Sequence, residues 1–110
     1  MSEPAKTPEP PYYVVLFTSR RTEGDNGYGD TSNRMEELAR QVPGFLGIES
    51  ARGADGLGIT ISYWASEEAI ATWSAHAEHR VAKSTGKQQW YQDFIIRHGR
   101  VEKQKVWQKP

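Results

Sequence analysis

The alternation of apolar and polar residues predicts four β-strands. Residues 12–18 are rich in aromatic and β-branched side chains and apolar on both faces, which is typical of a buried strand. Residues 45–52 and 58–64 are predicted to form the second and third strands, joined by a hairpin loop at 54–56. A fourth strand is predicted over 90–101, with Gly99 as a candidate bulge.

Helical spacing predicts two helices between these strands. The first starts at a cap formed by Asp30, Thr31 or Ser32 and ends at Pro43-Gly44. Its apolar positions are Met35, Leu38, Ala39 and Val42. The second starts at Ser66, and its predicted apolar face consists of Ile70, Trp73, Ala77 and Val81.

The resulting order β-α-β-β-α-β predicts an α+β, ferredoxin-like plait: a four-stranded antiparallel sheet with both helices on one face. The other face is then bare, although both sides of the strands carry apolar residues. In the first strand, Tyr12, Val14 and Leu16 alternate with Tyr13, Val15 and Phe17. A bare apolar sheet face favours packing against a second copy, so we expect a homodimer.

Outside these elements the chain is polar or rich in proline. Residues 1–11 predict a disordered, solvated tail, residues 12–103 a single domain, and residues 104–110 a C-terminal extension. Within the extension, Val106 and Trp107 are a candidate anchor. The polar loop 19–29 contains three glycines.

Composition narrows the possible functions. The chain has 14 Lys and Arg against 14 Asp and Glu, three His and no Cys. Without cysteine there is no disulfide and no thiolate metal site, and we predict no metal. The charge lacks the basic stripe that nucleic acid requires, so no nucleic-acid partner is expected. With no apolar run long enough for a membrane span, we expect no membrane partner and a cytoplasmic protein.

Several segments carry a family pattern. Residues 43–49 (Pro-Gly-Phe-Leu-Gly-Ile-Glu), residues 61–69 (Ile-Ser-Tyr-Trp-Ala-Ser-Glu-Glu-Ala), and Trp73 with His76 follow one another in register. In this respect the sequence resembles the antibiotic biosynthesis monooxygenase family. The resemblance implies a dimeric α+β barrel with a pocket in each subunit. It also implies oxygenation of a small aromatic or quinone-like molecule without flavin, haem or metal.

Two further hypotheses remain open: a non-catalytic small-molecule-binding or stress-related dimer, and a haem-binding or haem-degrading oxygenase. The haem-degrading relatives have an Asn near the first strand and a His ten residues after a helical Trp. If Trp73 is that Trp, the second position holds Lys83, and residues 12–18 contain no Asn. For haem, His76 or His79 would have to substitute.

The candidate base is His76, which lies one helical turn from Trp73. It is at the edge of the apolar face of the second helix, where it can accept a phenolic proton. A histidine hydrogen-bonded at a helix–sheet seam is the alternative interpretation. His79 is expected to be more exposed if the helix continues unbroken. His98 shares its strand face with Phe94 and Ile96.

The candidate substrate contacts come from the first and third strands, the second helix and the loop after the first strand. Trp64 and Trp73 can line a flat pocket, although core filling is the more frequent role of a tryptophan. Thr60 and Ser62 share the face of Trp64, and we expect this face to point into the barrel if Ile59, Ile61 and Tyr63 pack under the helices. The complete set of predicted substrate-binding residues is Trp64, Trp73, Thr60, Ser62, Tyr12 and Arg20.

Overall fold

The structure, a computed structural model, describes residues 3–110, with only the backbone of Ala77. The strands are β1 (Tyr12–Arg21), β2 (Phe45–Arg52), β3 (Leu57–Trp64) and β4 (Tyr91–Val101). The helices are α1 (Tyr28–Arg40), α2 (Glu67–Ala75) and α3 (Ala77–Thr85), and a π-helical turn follows at Gly86–Trp90. The strands form one antiparallel sheet in the order β2-β3-β1-β4, which confirms the ferredoxin-like α+β fold.

The core lies between one sheet face and helices α1 and α2. Trp64 packs there with Ala39, Val42 and Ala69, and the side chains partly buried against this group include Tyr13, Val15, Phe45, Ile70 and Trp73. We call this side of the sheet the helical face. In the register of β1 and β3, Val15 pairs with Ser62 and Phe17 with Thr60, so these residues lie on the helical face as well.

The expected orientation of β3 is therefore wrong. Ile59, Ile61 and Tyr63 lie on the opposite side, which we call the open face, and the Trp64 side of the strand packs under the helices. The indole of Trp64 is 1% exposed. Because one large ring removes roughly 150–250 Å² from water, its burial decides which side of β3 faces the helices.

One end of the open face is covered by the chain before β1, where the sequence predicts a solvated tail. The Ala5 N–H donates to Glu49 Oε2 at 2.8 Å, and the Thr7 hydroxyl lies 2.9 Å from the Tyr12 hydroxyl. Gln104, just after β4, contacts Thr7, Tyr12 and the carbonyl of Pro8. The segment from Ala5 to Pro8 therefore forms a strap over this end of the sheet.

The loop between β1 and α1 is shorter than predicted because β1 continues to Arg21. The structure places the start of α1 at Tyr28, after Gly27 with φ of 83°, so the predicted caps Asp30, Thr31 and Ser32 lie inside the helix. The Asp25 carboxylate instead accepts the N–H groups of Gly27 and Gly29, each at 3.1 Å. This side chain satisfies backbone donors that the helix leaves unpaired.

The predicted second helix is divided into α2 and α3. The break lies at His76, whose backbone is extended (φ −59°, ψ 131°). The predicted apolar face of this helix therefore does not continue into α3: Ile70 and Trp73 are half-buried, whereas Val81 is exposed. The side chain of Ala77, the remaining member of that apolar face, lies outside the described part of the chain.

The register shift in β4 is also not where the sequence suggests. Gly99 pairs with Val14 in unbroken register, and the irregularity lies between Arg20 and Arg21, which pair with Asp93 and Tyr91. A β-carbon at Gly99 would approach Val14 Cγ2 to 3.3 Å, so this glycine permits close packing.

Candidate functional site

The break between α2 and α3 brings three aromatic rings together. The His79 ring stacks on Trp73, with centroids 4.2 Å apart and planes inclined by 11°. His76 lies 5.6 Å from the same indole, centroid to centroid. Both histidines are half-buried, so His79 is less exposed than the unbroken helix would predict. The break redirects α3 and turns His79 back onto Trp73.

Hydrogen bonds distinguish the two imidazoles. The Glu78 N–H donates to His76 Nδ1 at 3.2 Å and so caps α3. A neutral His76 therefore holds its proton on Nε2. His79 Nδ1 lies 3.1 Å from the Trp73 carbonyl oxygen, which can only accept, so His79 holds its proton on Nδ1. His76 Nδ1 is engaged in the cap of α3, whereas the Nε2 lone pair of His79 is not needed for its bond to Trp73.

The environment of His79 favours its neutral form. Burial lowers the pKa of His79, and the nearby charges of Lys83 and His76 lower it further, against the opposing effect of the Trp73 carbonyl. His79 is therefore an uncharged stacking partner for Trp73 at neutral pH.

This environment makes stability depend on pH. Because the pKa of His79 is lower in the folded chain than in the unfolded chain, the unfolded chain binds more protons between the two values. The stabilisation is fully present above the unfolded pKa of about 6.5 and is lost as pH falls towards the folded value. We expect urea unfolding to show a smaller loss of stability on acidification for His79→Gln than for wild type. The exposed Val81, changed to Ala, is the control and should keep the wild-type slope. Equal slopes for wild type and His79→Gln would contradict this prediction.

The predicted strand residues Trp64, Thr60 and Ser62 share the helical face, but their polar atoms are already paired. Trp64 Nε1–H donates to Ser62 Oγ at 2.8 Å, and the Thr60 and Ser50 hydroxyls lie 2.9 Å apart. Trp64 is enclosed in the core and presents no ring face to a ligand. Substrate contacts from this group remain a prediction, and they would require the hydroxyls to exchange partners.

Tyr12 and Arg20 lie on the open face, on the other side of the sheet from Trp73. Tyr12 is buried under the strap, and Arg20 forms a bidentate pair with Asp93 through bonds of 2.9 and 2.6 Å. The Arg20 guanidinium lowers the pKa of the Asp93 carboxyl. Within one copy of the chain, these two residues do not share a site with Thr60, Ser62, Trp64, Trp73 and His76.

A cleft with both polar and apolar walls lies where the start of α2 faces β1 and β4, and we call it the β4 cleft. Its volume is about 340 Å³, and it is lined by Tyr13, Glu67, Ile70, His98, Gly99 and Arg100. Ile70 connects it to Trp73 one helical turn away. The alternation in the sequence grouped His98 with Phe94 and Ile96, but it did not identify Tyr13, Glu67 or Arg100 as cleft residues. The strand order β1-β4, in which Tyr13 pairs with Arg100, is the missing information.

A larger and more apolar cleft of about 490 Å³ separates α1 from α3. Its apolar lining includes Met35, Val81 and Trp90, and the Arg34 guanidinium spans it to Glu78 through bonds of 3.2 and 3.3 Å. This ion pair lowers the pKa of Glu78. The lining contains none of the predicted site residues, so this cleft offers an apolar surface with few reactive groups.

Two features of residues 3–110 concern the predicted partners. This part of the chain contains no cluster of three His, Cys, Asp or Glu side chains placed to hold a metal ion. None of its helices combines the length and the apolar character that a membrane crossing requires.

Comparison with known proteins identifies the family. The family model described as antibiotic biosynthesis monooxygenase matches residues 11–85. The chain belongs to the antibiotic biosynthesis monooxygenase family. This membership confirms the resemblance seen in the sequence. YqjZ of Bacillus subtilis (strain 168), an uncharacterized protein, is 51% identical over 105 residues, covering 96% of this chain and 92% of YqjZ.

Solved structures share the fold of this antibiotic biosynthesis monooxygenase family member at low sequence identity. A point mutant of SnoaB from Streptomyces nogalater, called a cofactor-independent oxygenase, has a TM-score of 0.68 and 12% identity, covering 89% of this chain and 98% of SnoaB. Protein SO0527 from Shewanella oneidensis has a TM-score of 0.73 and 10% identity, covering 83% and 91%. At such identities the likeness establishes the fold alone.

Proposed function

We propose that this chain is a homodimeric cytoplasmic oxygenase that acts on a small aromatic or quinone-like molecule without a bound flavin, haem or metal. Its family membership and fold support a monooxygenase-like role. The apolar open face supports the dimer. The observation that carries the proposal is the β4 cleft, which combines an imidazole, a phenol and a guanidinium with an apolar wall.

The β4 cleft has the size and composition of a small-molecule site. Cavities of roughly 300–1,000 Å³ with apolar walls and a few polar groups commonly bind ligands of this kind. Ile70 offers an apolar surface for one face of an aromatic ring. The Arg100 guanidinium forms an ion pair with Glu102 at 3.2 Å and would have to share its positive charge with a phenolate oxygen. His98 is exposed in the cleft, where an incoming molecule can reach it.

The proposed reaction uses the side chains of the β4 cleft. His98 takes a proton from a phenol-activated CH2 group, leaving an electron-rich carbanion. The carbanion transfers electrons to O2 and forms a carbon–oxygen bond, and the resulting peroxide anion takes the proton back from His98 to give a hydroperoxide. Loss of water from the hydroperoxide leaves a carbonyl, so that CH2 and O2 become C=O and H2O. O2 is the oxidant, and no further reductant is needed.

His98 replaces His76 as the base in this proposal because the cap of α3 occupies His76 Nδ1. The role of His76 as base stays a prediction that the same experiment tests.

Oxygen uptake with an anthrone-type polycyclic phenol measures the proposed reaction. We expect His98→Gln to lower kcat/KM by about 100-fold, the lower end of what a general base contributes, while His76→Gln stays near wild type. Loss of uptake in His76→Gln alone would transfer the base role to His76. Tight binding of the phenol without oxygen uptake by the wild type would instead favour the non-catalytic binding dimer. A Soret shift on adding haem at micromolar protein would favour the haem alternative.

A further inference from the structure

The open face of the sheet is covered at one end and bare at the other. The strap covers the end that contains Tyr12, Gly47 and Glu49. At the other end Leu57, Ile59 and Ile95 are 47%, 45% and 53% exposed. Ile59 and Ile95 flank Thr18 on its two neighbouring strands, so they form one continuous row. We call Leu57, Ile59 and Ile95 the apolar stripe.

The C-terminal segment carries a second exposed apolar surface. It leaves β4 at Val101, beside the strap, and Gln104 joins it to Thr7 and Pro8. Beyond Gln104, Val106 is 83% exposed and Trp107 is 75% exposed. We call residues 105–110 the arm. The arm begins at the covered end of the sheet, and the apolar stripe lies at the opposite end.

We propose that Val106 and Trp107 of one copy pack on the apolar stripe of a second copy. This inference rests on the homodimer of the proposed function and deepens it by naming the contact. In this contact the arm of one copy and the apolar stripe of the other cover each other. A two-fold axis repeats the contact at the two ends of the dimer.

Distances favour the second copy over the same chain. Thr18, which pairs with Ile59, is six residues from Tyr12, or about 20 Å along β1. Six residues also separate Val101 from Trp107 and span at most about 20 Å. To reach its own stripe, the arm would have to double back, fully extended, across its own sheet. Stacked sheets lie about 10 Å apart, so the stripe of a partner in reversed orientation is within easy reach.

The strap determines the orientation of the partner. If two open faces stacked with their strands aligned, the two straps would meet and force the sheets apart at that end. With the strands reversed, each strap and arm faces the bare stripe of the other copy, and both ends of the stack are filled equally. The reversed arrangement therefore leaves less apolar surface in water.

Cysteine cross-linking tests this contact directly because the chain has no cysteine of its own. We expect an equimolar mixture of Trp107→Cys and Ile59→Cys chains to form a mixed disulfide dimer on mild oxidation. Lys87→Cys replaces Ile59→Cys in the control mixture; Lys87 is exposed on the π-helical turn, and we expect no mixed disulfide there. Ile59→Cys alone should not cross-link, because reversed strands place the two Ile59 positions at opposite ends.

Sedimentation equilibrium supplies the second measurement. We expect Trp107→Ser to raise the dimer dissociation constant at least about tenfold, as the loss of an aromatic anchor does at other interfaces. A wild-type dimer with no mixed disulfide and an unchanged dissociation constant for Trp107→Ser would overturn the arm contact and leave the homodimer intact. Cross-linking of Ile59→Cys with itself would overturn the reversed orientation. A wild-type chain that stays monomeric would overturn both the arm contact and the homodimer.

Discussion

Trp64→Ala should lower the free energy of unfolding by about 3–5 kcal/mol, the usual cost of truncating a buried tryptophan. The indole is 1% exposed and lies between the sheet and residues Ala39, Val42 and Ala69 of the helical layer. Alanine would leave a cavity beside Ala39, Val42 and Ala69, whose short side chains cannot extend into it. The indole N–H bond to Ser62 would be lost as well. Urea denaturation followed by far-UV circular dichroism measures the difference.

Two variants separate burial from the hydrogen bond. Trp64→Phe keeps an aromatic ring in the core but leaves Ser62 without its indole donor, so we expect a smaller loss than for alanine. Val81→Ala changes an apolar residue that is 67% exposed, and its stability should stay within about 0.5 kcal/mol of wild type. A loss below about 1 kcal/mol for Trp64→Ala would show that the indole is not enclosed as described.

The strands could be predicted because their patterns are local. The second strand has the predicted bounds, Phe45–Arg52, since Pro43-Gly44 and a glycine-containing hairpin loop delimit it. The side of β3 that meets the helices could not be read in the same way. Alternation separates the residues of a strand into two faces, but it does not say which face the helices cover. In this chain both faces are apolar, and the burial of Trp64 decides.

The break between α2 and α3 could not be predicted from the apolar spacing either. Apolar spacing continues from Ile70 to Val81, so periodicity alone predicts one helix. The structure ends α2 at Ala75, and the His76 ring begins a new helix by accepting the N–H of Glu78. Side-chain capping of this kind competes with helix continuation and has no periodic signature.

The residues that line the β4 cleft could not be predicted from their spacing along the chain. Tyr13 and Arg100 are far apart in sequence and meet because β1 and β4 are adjacent strands. Only the order β2-β3-β1-β4 makes His98 and Tyr13 neighbours of Ile70. The predicted contacts Tyr12 and Arg20 lie on the other side of the sheet because residues an odd number of positions from Tyr13 along β1 point to the opposite face.

Gly44→Ala should lower the free energy of unfolding by about 2–4 kcal/mol, because two costs combine at this position. Gly44 has φ of 95°, where a side chain is strained, and its added β-carbon would approach the Ala69 β-carbon to 2.8 Å. Ala69 lies on α2, and the Gly44 carbonyl accepts the Ala65 N–H at 2.7 Å just before that helix. The helix cannot move away from the new methyl group without stretching this bond. Thermal and urea unfolding measure the loss.

Gly27→Ala separates backbone strain from the clash between Gly44 and Ala69. Gly27 has φ of 83°, and a β-carbon there would meet nothing within 4 Å, so only the backbone cost of about 1–2 kcal/mol should appear. Adding Ala69→Gly to Gly44→Ala removes the clashing methyl and should restore part of the stability, although glycine inside a helix itself costs about 1 kcal/mol. Equal losses for Gly44→Ala and Gly27→Ala, with no rescue by Ala69→Gly, would mean that α2 is not held against this turn. The position of Ile70 in the β4 cleft depends on the same contact, because Ile70 follows Ala69 on α2.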